Sequence, residues 1–278
     1  MRADYHLHCE FSDDSTEPME AQVKQAIRCG FDEICFTDHV DYGIKKDWSE
    51  GDVAYRDGMP IANVDYPAYF AKLRRMREEY GSRILVKRGL EFGIQSHTIP
   101  QFQRLYDTYQ DELDFVLFSM HQVEDQEFWT QDFQRGRTQQ EYNLRYYEEI
   151  LTTMTGYKDY SVLAHLDLLS RYDEQGVYPF AHVRDIVAEI LTLAIKEGKG
   201  IELNTSSCYY GLKDTQPCRD ILRLYKDLGG RILTIGSDAH AASRLGDHFD
   251  EAAAILRDEI GFDSFCTFTN MQPEFHAL

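Results

Sequence analysis

Residues 4–8 read Asp4-Tyr5-His6-Leu7-His8 and lead into Cys9-Glu10-Phe11-Ser12-Asp13-Asp14. On an extended strand, residues two apart point to the same side. One strand end can therefore present the imidazoles of His6 and His8 to a single point, a metal-binding geometry, while Cys9 points away. Two exposed histidines on a half-buried strand would have the same spacing, so the rest of the chain has to decide. It does so by recurrence. At the ends of further strand-like runs stand Asp38-His39, Glu91, His121, His165, Glu202 with Asn204, and Asp238 with His240.

Working outward, strand-like and helix-like segments alternate. A helix over 17–30 has Pro18 near its first turn and ends at Gly30. The apolar run 33–37 precedes Asp38-His39, and 40–67, rich in Asp, Gly and aromatic residues, reads as a long loop over one end of the fold. Helices are expected over 66–81, 100–109, 138–155, 182–198, 217–228 and 247–260, the third opening on a Thr138/Glu141 capping box. Strands are expected over 84–90, 113–119, 161–164, 200–203 and 231–236. Such alternation implies a parallel sheet covered by helices. An open sheet gathers ligands at one switch point. Here every strand contributes a polar residue at its C-terminal end, which only closure brings to one centre. The expected fold class is α/β, a distorted (β/α)7 TIM-like barrel forming a single domain over 1–278, one strand short of the usual eight.

The chain of 278 residues carries 48 acidic against 29 basic side chains, a net charge of −19. That argues against a protein holding nucleic acid by its phosphate backbone, which needs a basic face. It leaves room for a small anionic substrate, because metal cations reverse the local field. The six cysteines include no Cys-x-x-Cys pair, so a structural zinc knuckle is not expected. No basic segment followed by an apolar one opens the chain, and no apolar run approaches the roughly 20 residues that span a bilayer. A cytoplasmic protein with reduced thiols and no membrane association is expected. The oligomeric state is left open.

The candidate metal ligands are His6, His8, His39, Glu91, His121, His165, Asp238 and His240, with Asp14 a plausible ninth. They exceed the three or four protein ligands of one zinc, so two or three divalent ions are expected. A carboxylate can bridge two ions with its two oxygens, and Glu91 is the best candidate for that. Nitrogen and oxygen donors without thiolate suit zinc, manganese or iron alike. Clustered metals lower the pKa of a bound water and stabilise charge on both oxygens of a phosphate ester undergoing displacement. With no Ser, Cys or Asp nucleophile motif evident, the expected chemistry is phosphate ester cleavage by a metal-bridging hydroxide. Glu91, Asp238 and His240 are the catalytic candidates, and His97, six positions after Glu91, is either a residue that touches substrate or donates a proton or a plain loop residue. His182, His248 and His276 read as surface, capping or tail residues.

Taken together, Asp4-Tyr5-His6-Leu7-His8, Thr37-Asp38-His39, Gly89-Leu90-Glu91, Ser119-Met120-His121, Ala164-His165-Leu166-Asp167, Glu202-Leu203-Asn204-Thr205-Ser206 and Gly236-Ser237-Asp238-Ala239-His240 resemble the polymerase and histidinol phosphatase (PHP) superfamily, in its histidinol-phosphatase branch. The resemblance implies a distorted (β/α)7 barrel with three metals. By position, His6, His8, Glu91 and Asp238 would hold one ion, Glu91, His121 and His165 a second, and His39 with His240 the third. Asp14 stands where many relatives have histidine. Arg171 fits a phosphate-binding arginine, and Asn204 joins it and His97 as substrate-binding candidates. Where relatives often have a further arginine, this chain has Cys208-Tyr209-Tyr210. The activity implied is hydrolysis of L-histidinol phosphate in histidine biosynthesis. A phosphoesterase of nucleotides or another small phosphate ester is the alternative within enzymes. A non-catalytic metal-binding module is the alternative of another class, disfavoured because no core ligand position is lost.

Overall fold

The computed structural model describes residues 1–56 and 58–278. Seven strands form its central layer: β1 (Ala3–Leu7), β2 (Glu33–Phe36), β3 (Leu85–Gly93), β4 (Phe115–Ser119), β5 (Val162–Leu163), β6 (Gly200–Asn204) and β7 (Leu233–Gly236). They lie in sequence order and each neighbouring pair is parallel. Strands buried on both faces need near-continuous apolar runs. β4 (FVLFS) and β7 (LTIG) are such runs, buried along their whole length.

The ring closes at its C-terminal edge, where β7 runs out beside β1. The Asp238 N–H donates to the His6 carbonyl at 2.8 Å, and the His8 N–H to the Ala239 carbonyl at 3.0 Å. The two most histidine-rich motifs, far apart in sequence, are thus joined by backbone.

Helices α1 (Met19–Arg28), α2 (Tyr66–Tyr80), α3 (Ile99–Tyr109), α4 (Gln139–Gly156), α5 (Arg184–Lys196), α6 (Arg219–Asp227) and α7 (Phe249–Ala254) connect and cover the strands. The Thr138/Glu141 capping box is formed at α4. α7 is shorter than the sequence suggests, because its second half widens into a π-turn over Ile255–Ile260 before Gly261, at φ 85°, ends it. Among the described residues no helix is long and apolar enough to cross a membrane.

Two regions depart from the sequence expectation. β3 continues beyond Leu90 to Gly93, because the short strand His39–Val40 pairs with it after β2 has ended, setting His39 opposite Glu91. The stretch after α7 is a hairpin, β8 (Ser264–Thr269) with β9 (Gln272–Ala277), so His276 is a strand residue and no tail. Its Nε2 lies 2.8 Å from Thr267 Oγ1. The turn residues Asn270 and Met271 both have positive φ, which fits the favoured two-residue hairpin turn. This hairpin sits against the strand ends opposite the histidines: Met271 N–H donates to the Asp114 carbonyl at 2.9 Å, and Lys87 reaches Thr269 Oγ1 at 2.7 Å.

Candidate metal centre

At the C-terminal ends of the strands, His6, His8, Glu91 and Asp238 turn their donor atoms to one point. His6 Nε2 lies 3.2 Å from Glu91 Oε2 and 3.6 Å from Asp238 Oδ1, and His8 Nε2 lies 3.4 Å from each of the same two oxygens. Donors about 2.0–2.2 Å from a tetrahedral ion stand roughly 3.3–3.6 Å from one another. His6 Nε2, His8 Nε2 and Glu91 Oε2 are buried and have no hydrogen-bond partner among the described residues. Orphaned buried donors are costly unless something else satisfies them, and a cation at their common focus does so. The residues therefore fit an ion.

Glu91 divides its two oxygens. Oε2 faces His6 and His8 and also His39 Nδ1 at 2.9 Å, while Oε1 faces His121 Nε2 at 3.1 Å and His165 Nε2 at 2.9 Å and accepts from Ser119 Oγ at 2.6 Å. A third set lies nearer solvent: His39 Nε2 and His240 Nε2 are 3.4 Å apart, and Asp14 Oδ2 is 3.4 Å and 3.1 Å from them. The His8 ring is stacked against both His39, with centroids 4.2 Å apart, and His240, at 4.0 Å. All nine candidate ligands come together in three sets, the first two sharing Glu91 and the third joined to it through His39 Nδ1.

The field around these groups follows from their crowding. Burial opposes charge on His6, yet Glu202, Glu91 and Asp238 outweigh it and raise its pKa. His8, equally buried and beside His240 and His39, is pushed down. Burial also opposes charge on Glu91 and Asp238, but the surrounding imidazoles, and for Asp238 also Arg171, hold both carboxyls well below the usual range. The carboxylates are thus ready as anionic ligands.

A further shell fixes the rings. Glu202 Oε1 is 2.7 Å from His6 Nδ1, and its Oε2 accepts from the His165 N–H at 3.0 Å. Asp41 Oδ1 is 2.7 Å from His121 Nδ1, and its other oxygen meets Lys45 at 2.8 Å. Ser12 Oγ donates to Asp38 at 2.8 Å and lies 3.0 Å from His8 Nδ1. Partners on the far nitrogen orient metal-binding imidazoles in this way. His165, at φ 23°, and Asp238, at φ 54°, hold left-handed backbone conformations, a strain of about 1–3 kcal/mol each that collects at functional sites. Sequence reasoning placed Glu202 at a strand end without a role and missed Asp41 and Lys45. The signal for Asp41 was its position two residues after His39. Lys45, inside the long loop, had none.

Arg171 lies at the centre's edge, its side chain 3% exposed. Nη1 donates to Asp238 Oδ2 at 2.9 Å, Nη2 to Ser206 Oγ at 2.7 Å and Asn204 Oδ1 at 3.3 Å, and Nε to Gln216, under the ring of Tyr210. All three nitrogens are engaged, and one Nη1 hydrogen is left without a partner among these contacts. The other two substrate-binding candidates, Asn204 and His97, do not border the cavity over the candidate ligands. Asn204 is fully buried and bonds Arg171, Glu202 and Asp238, so it acts through them. His97 is half exposed on a turn, 3.0 Å from Asp125, and does not line the cavity over the ligands.

That cavity, of about 340 Å³, is bordered by six of the candidate ligands, Asp14, His39, His121, His165, Asp238 and His240, and by Lys45, Arg56, Glu127, Trp129, Arg171 and Tyr210. Its volume suits a small ester, the lower end of the range for small-molecule sites.

Residues 4–206 match the model of the PHP domain. The chain is 31% identical over 277 residues to the histidinol-phosphatase of Lactococcus lactis, covering 98% of this chain and 96% of that one. The chain belongs to the PHP domain family. Asp238 and His240 lie beyond the matched residues, in the part of the PHP chain that closes the barrel against β1. A histidinol-phosphatase of Saccharomyces cerevisiae is 20% identical over 99% of this chain and 93% of that one. Among solved structures, the histidinol phosphate phosphatase of Lactococcus lactis complexed with zinc, L-histidinol and phosphate matches with a TM-score of 0.81 at 29% identity, covering 98% of both chains. A chain from Listeria monocytogenes matches the fold with a TM-score of 0.73 at 21% identity, covering 90% of this chain and 99% of that one.

Proposed function

We propose that the whole chain, 1–278, acts as one metal-dependent phosphomonoesterase that hydrolyses L-histidinol phosphate to L-histidinol and phosphate, in the cytoplasm. The observation that carries this reading is Glu91, whose oxygens face two imidazole sets, one of which, His121 with His165, borders a cavity of about 340 Å³. Its support is the near full-length likeness to a relative solved with zinc, L-histidinol and phosphate.

In this reading His6, His8, Glu91 and Asp238 hold one ion, Glu91, His121 and His165 a second, and His39, His240 and Asp14 a third. Bound divalent ions, zinc, manganese or iron, would activate water and neutralise charge on the phosphoryl oxygens. The chain does the rest. Glu202, Asp41 and Ser12 fix the rings of His6, His121 and His8 so that their Nε2 atoms face inward. Arg171, held by Asp238 and Ser206, sets a fixed positive charge where the phosphoryl group enters. Tyr210 covers that guanidinium and lowers its exposure to water, which strengthens its attraction for an anion.

The test is metal analysis of the purified protein together with kcat/KM on L-histidinol phosphate, nucleotides and sugar phosphates. Two to three ions per chain and a clear preference for L-histidinol phosphate are expected. A higher kcat/KM on a nucleotide would replace the substrate assigned, and a metal-loaded protein inactive on every ester would leave only a binding module.

A further inference from the structure

The loop after His39 turns back on itself at once. The Ile44 and Lys45 N–H groups both donate to the Asp41 carbonyl, at 3.2 Å and 2.8 Å, with Gly43 at φ 97° in the bend. The turn brings Lys45 beside the Asp41 carboxylate, its side chain 8% exposed. Nζ lies 2.8 Å from Asp41 Oδ2 and 2.5 Å from Asp13 Oδ1, which belongs to the segment after β1. Burial opposes charge on this ammonium, but Asp41, Asp13 and Asp14 outweigh it and raise its pKa. Each of the two ion-pair partners leads to a different set of candidate ligands. Asp41 Oδ1 is 2.7 Å from His121 Nδ1, and His121 faces Glu91. Asp13 adjoins Asp14, whose Oδ2 is 3.4 Å from His39 Nε2 and 3.1 Å from His240 Nε2.

Resting on the three-ion assignment above, we propose that Lys45 is a positioning residue that ties the Asp14 set to the His121 set, holding the Asp13-Asp14 segment where Asp14 closes the third ion site. Asp14 needs such a tether. Its side chain is 53% exposed, and ordering a free carboxylate for one ion costs conformational entropy. Lys45 meets that cost in advance by fixing the neighbouring residue. Repulsion is the opposing effect, because a cation beside an ion cluster disfavours further cations. Here two carboxylates contact the one ammonium, so the trio is net negative and the tether prevails. The same ammonium fixes Asp41 against the His121 ring, so one side chain supports ligands from both sets.

The test is calorimetric titration of metal-free wild type, Lys45→Met, Lys45→Arg and Asp13→Asn with zinc, each checked by circular dichroism. In Lys45→Met the weakest-bound zinc should lose roughly 10- to 100-fold in affinity, the range for residues that support a ligand shell, while the tightest is unchanged. Lys45→Arg keeps the charge and can span both carboxylates, so it should recover most of that loss. Asp13→Asn leaves every candidate ligand and Lys45 in place and should weaken the same zinc about threefold, which decides the matter if Lys45→Met does not fold. A weakest zinc held as tightly as in wild type, or more tightly, would overturn the proposal, as would an equal loss at every site. A KM for L-histidinol phosphate that stays raised in Lys45→Met at saturating zinc would place Lys45 against substrate instead and also overturn it. If wild type takes up only two zinc ions, the three-ion assignment falls. Lys45 is then judged by the same criterion on the second zinc, which Asp41 supports through His121.

Discussion

Glu202 touches two ligands at once: its Oε1 is 2.7 Å from His6 Nδ1, and its Oε2 accepts the backbone N–H of His165 at 3.0 Å. The carboxylate fixes the His6 tautomer and supports the left-handed backbone at His165 from one fully buried position. Glu202→Gln keeps the shape but can offer an amide N–H where His6 needs an acceptor. Metal affinity or activity should fall about 10- to 100-fold, the range for partners of metal-binding histidines. Titration of the metal-free variant with zinc checks this, and wild-type affinity would show that His6 needs no such support.

Gly93 supports the opposite side. A methyl group there would run into the Asp41 carboxylate and meet His121 Nδ1 at 2.8 Å. Gly93→Ala should push Asp41 and His121 apart and leave the imidazole free to turn from Glu91. The expected result is a folded protein with less than its full complement of ions and activity reduced by about 10-fold or more. Circular dichroism with metal analysis on one preparation decides it. A full complement would mean that the backbone yields instead.

Arg171 has two duties that a single substitution removes together. In the proposed reading its charge receives the phosphoryl group, and its Nη1 donates to Asp238, whose other oxygen faces His6 and His8. Arg171→Ala should raise KM for a phosphate ester roughly 10- to 100-fold, the loss of one charge-assisted hydrogen bond of about 1.5–3 kcal/mol. It should also weaken the hold on the ion at Asp238, an effect invisible from the sequence. Arg171→Lys should restore part of the KM but not the metal affinity, because one ammonium cannot span Asp238, Ser206 and Gln216. Steady-state kinetics with and without added metal separate the two duties, and unchanged kinetics in both variants would remove Arg171 from the site.

The barrel and its ligand floor were legible because both are periodic. Apolar runs alternating with helical patterns give strands in sequence order, and the polar residue closing each run lands on one rim once the ring closes. What was hidden arises from contacts with no sequence period. The Asp41–Lys45 pair lies in a loop whose course depends on His39–Val40 re-pairing with β3. For Asn204 and His97, nearness in sequence to a candidate ligand says nothing of which way the side chain faces. Asn204 turns inward to Arg171, and His97 turns out to Asp125. The hairpin β8–β9 had a readable turn at Asn270-Met271, but its alternation is broken by the adjacent buried residues Phe265, Cys266, Thr267 and Phe268.

Glu91 is the residue on which the multinuclear reading most depends. Its Oε2 is an orphaned buried atom facing His6 and His8, and its Oε1 faces His121 and His165. In Glu91→Gln one oxygen becomes an N–H donor and the negative charge is lost where cations would sit close together, so both adjoining sets are affected. A glutamate that only oriented a ligand would cost about 10- to 100-fold on replacement. One that joins two sets should cost more. Metal stoichiometry should drop by at least one ion per chain, and kcat should fall by about three orders of magnitude, corresponding to roughly 4 kcal/mol of lost transition-state stabilisation. Glu91→Asp discriminates further, because it keeps the charge but is one methylene shorter and cannot reach both imidazole sets from β3. It should retain ions better than Glu91→Gln while remaining slow. Stoichiometry and kcat measured on the same folded preparations provide the check. A Glu91→Gln protein with its full complement of ions and near-normal turnover would refute the bridging role.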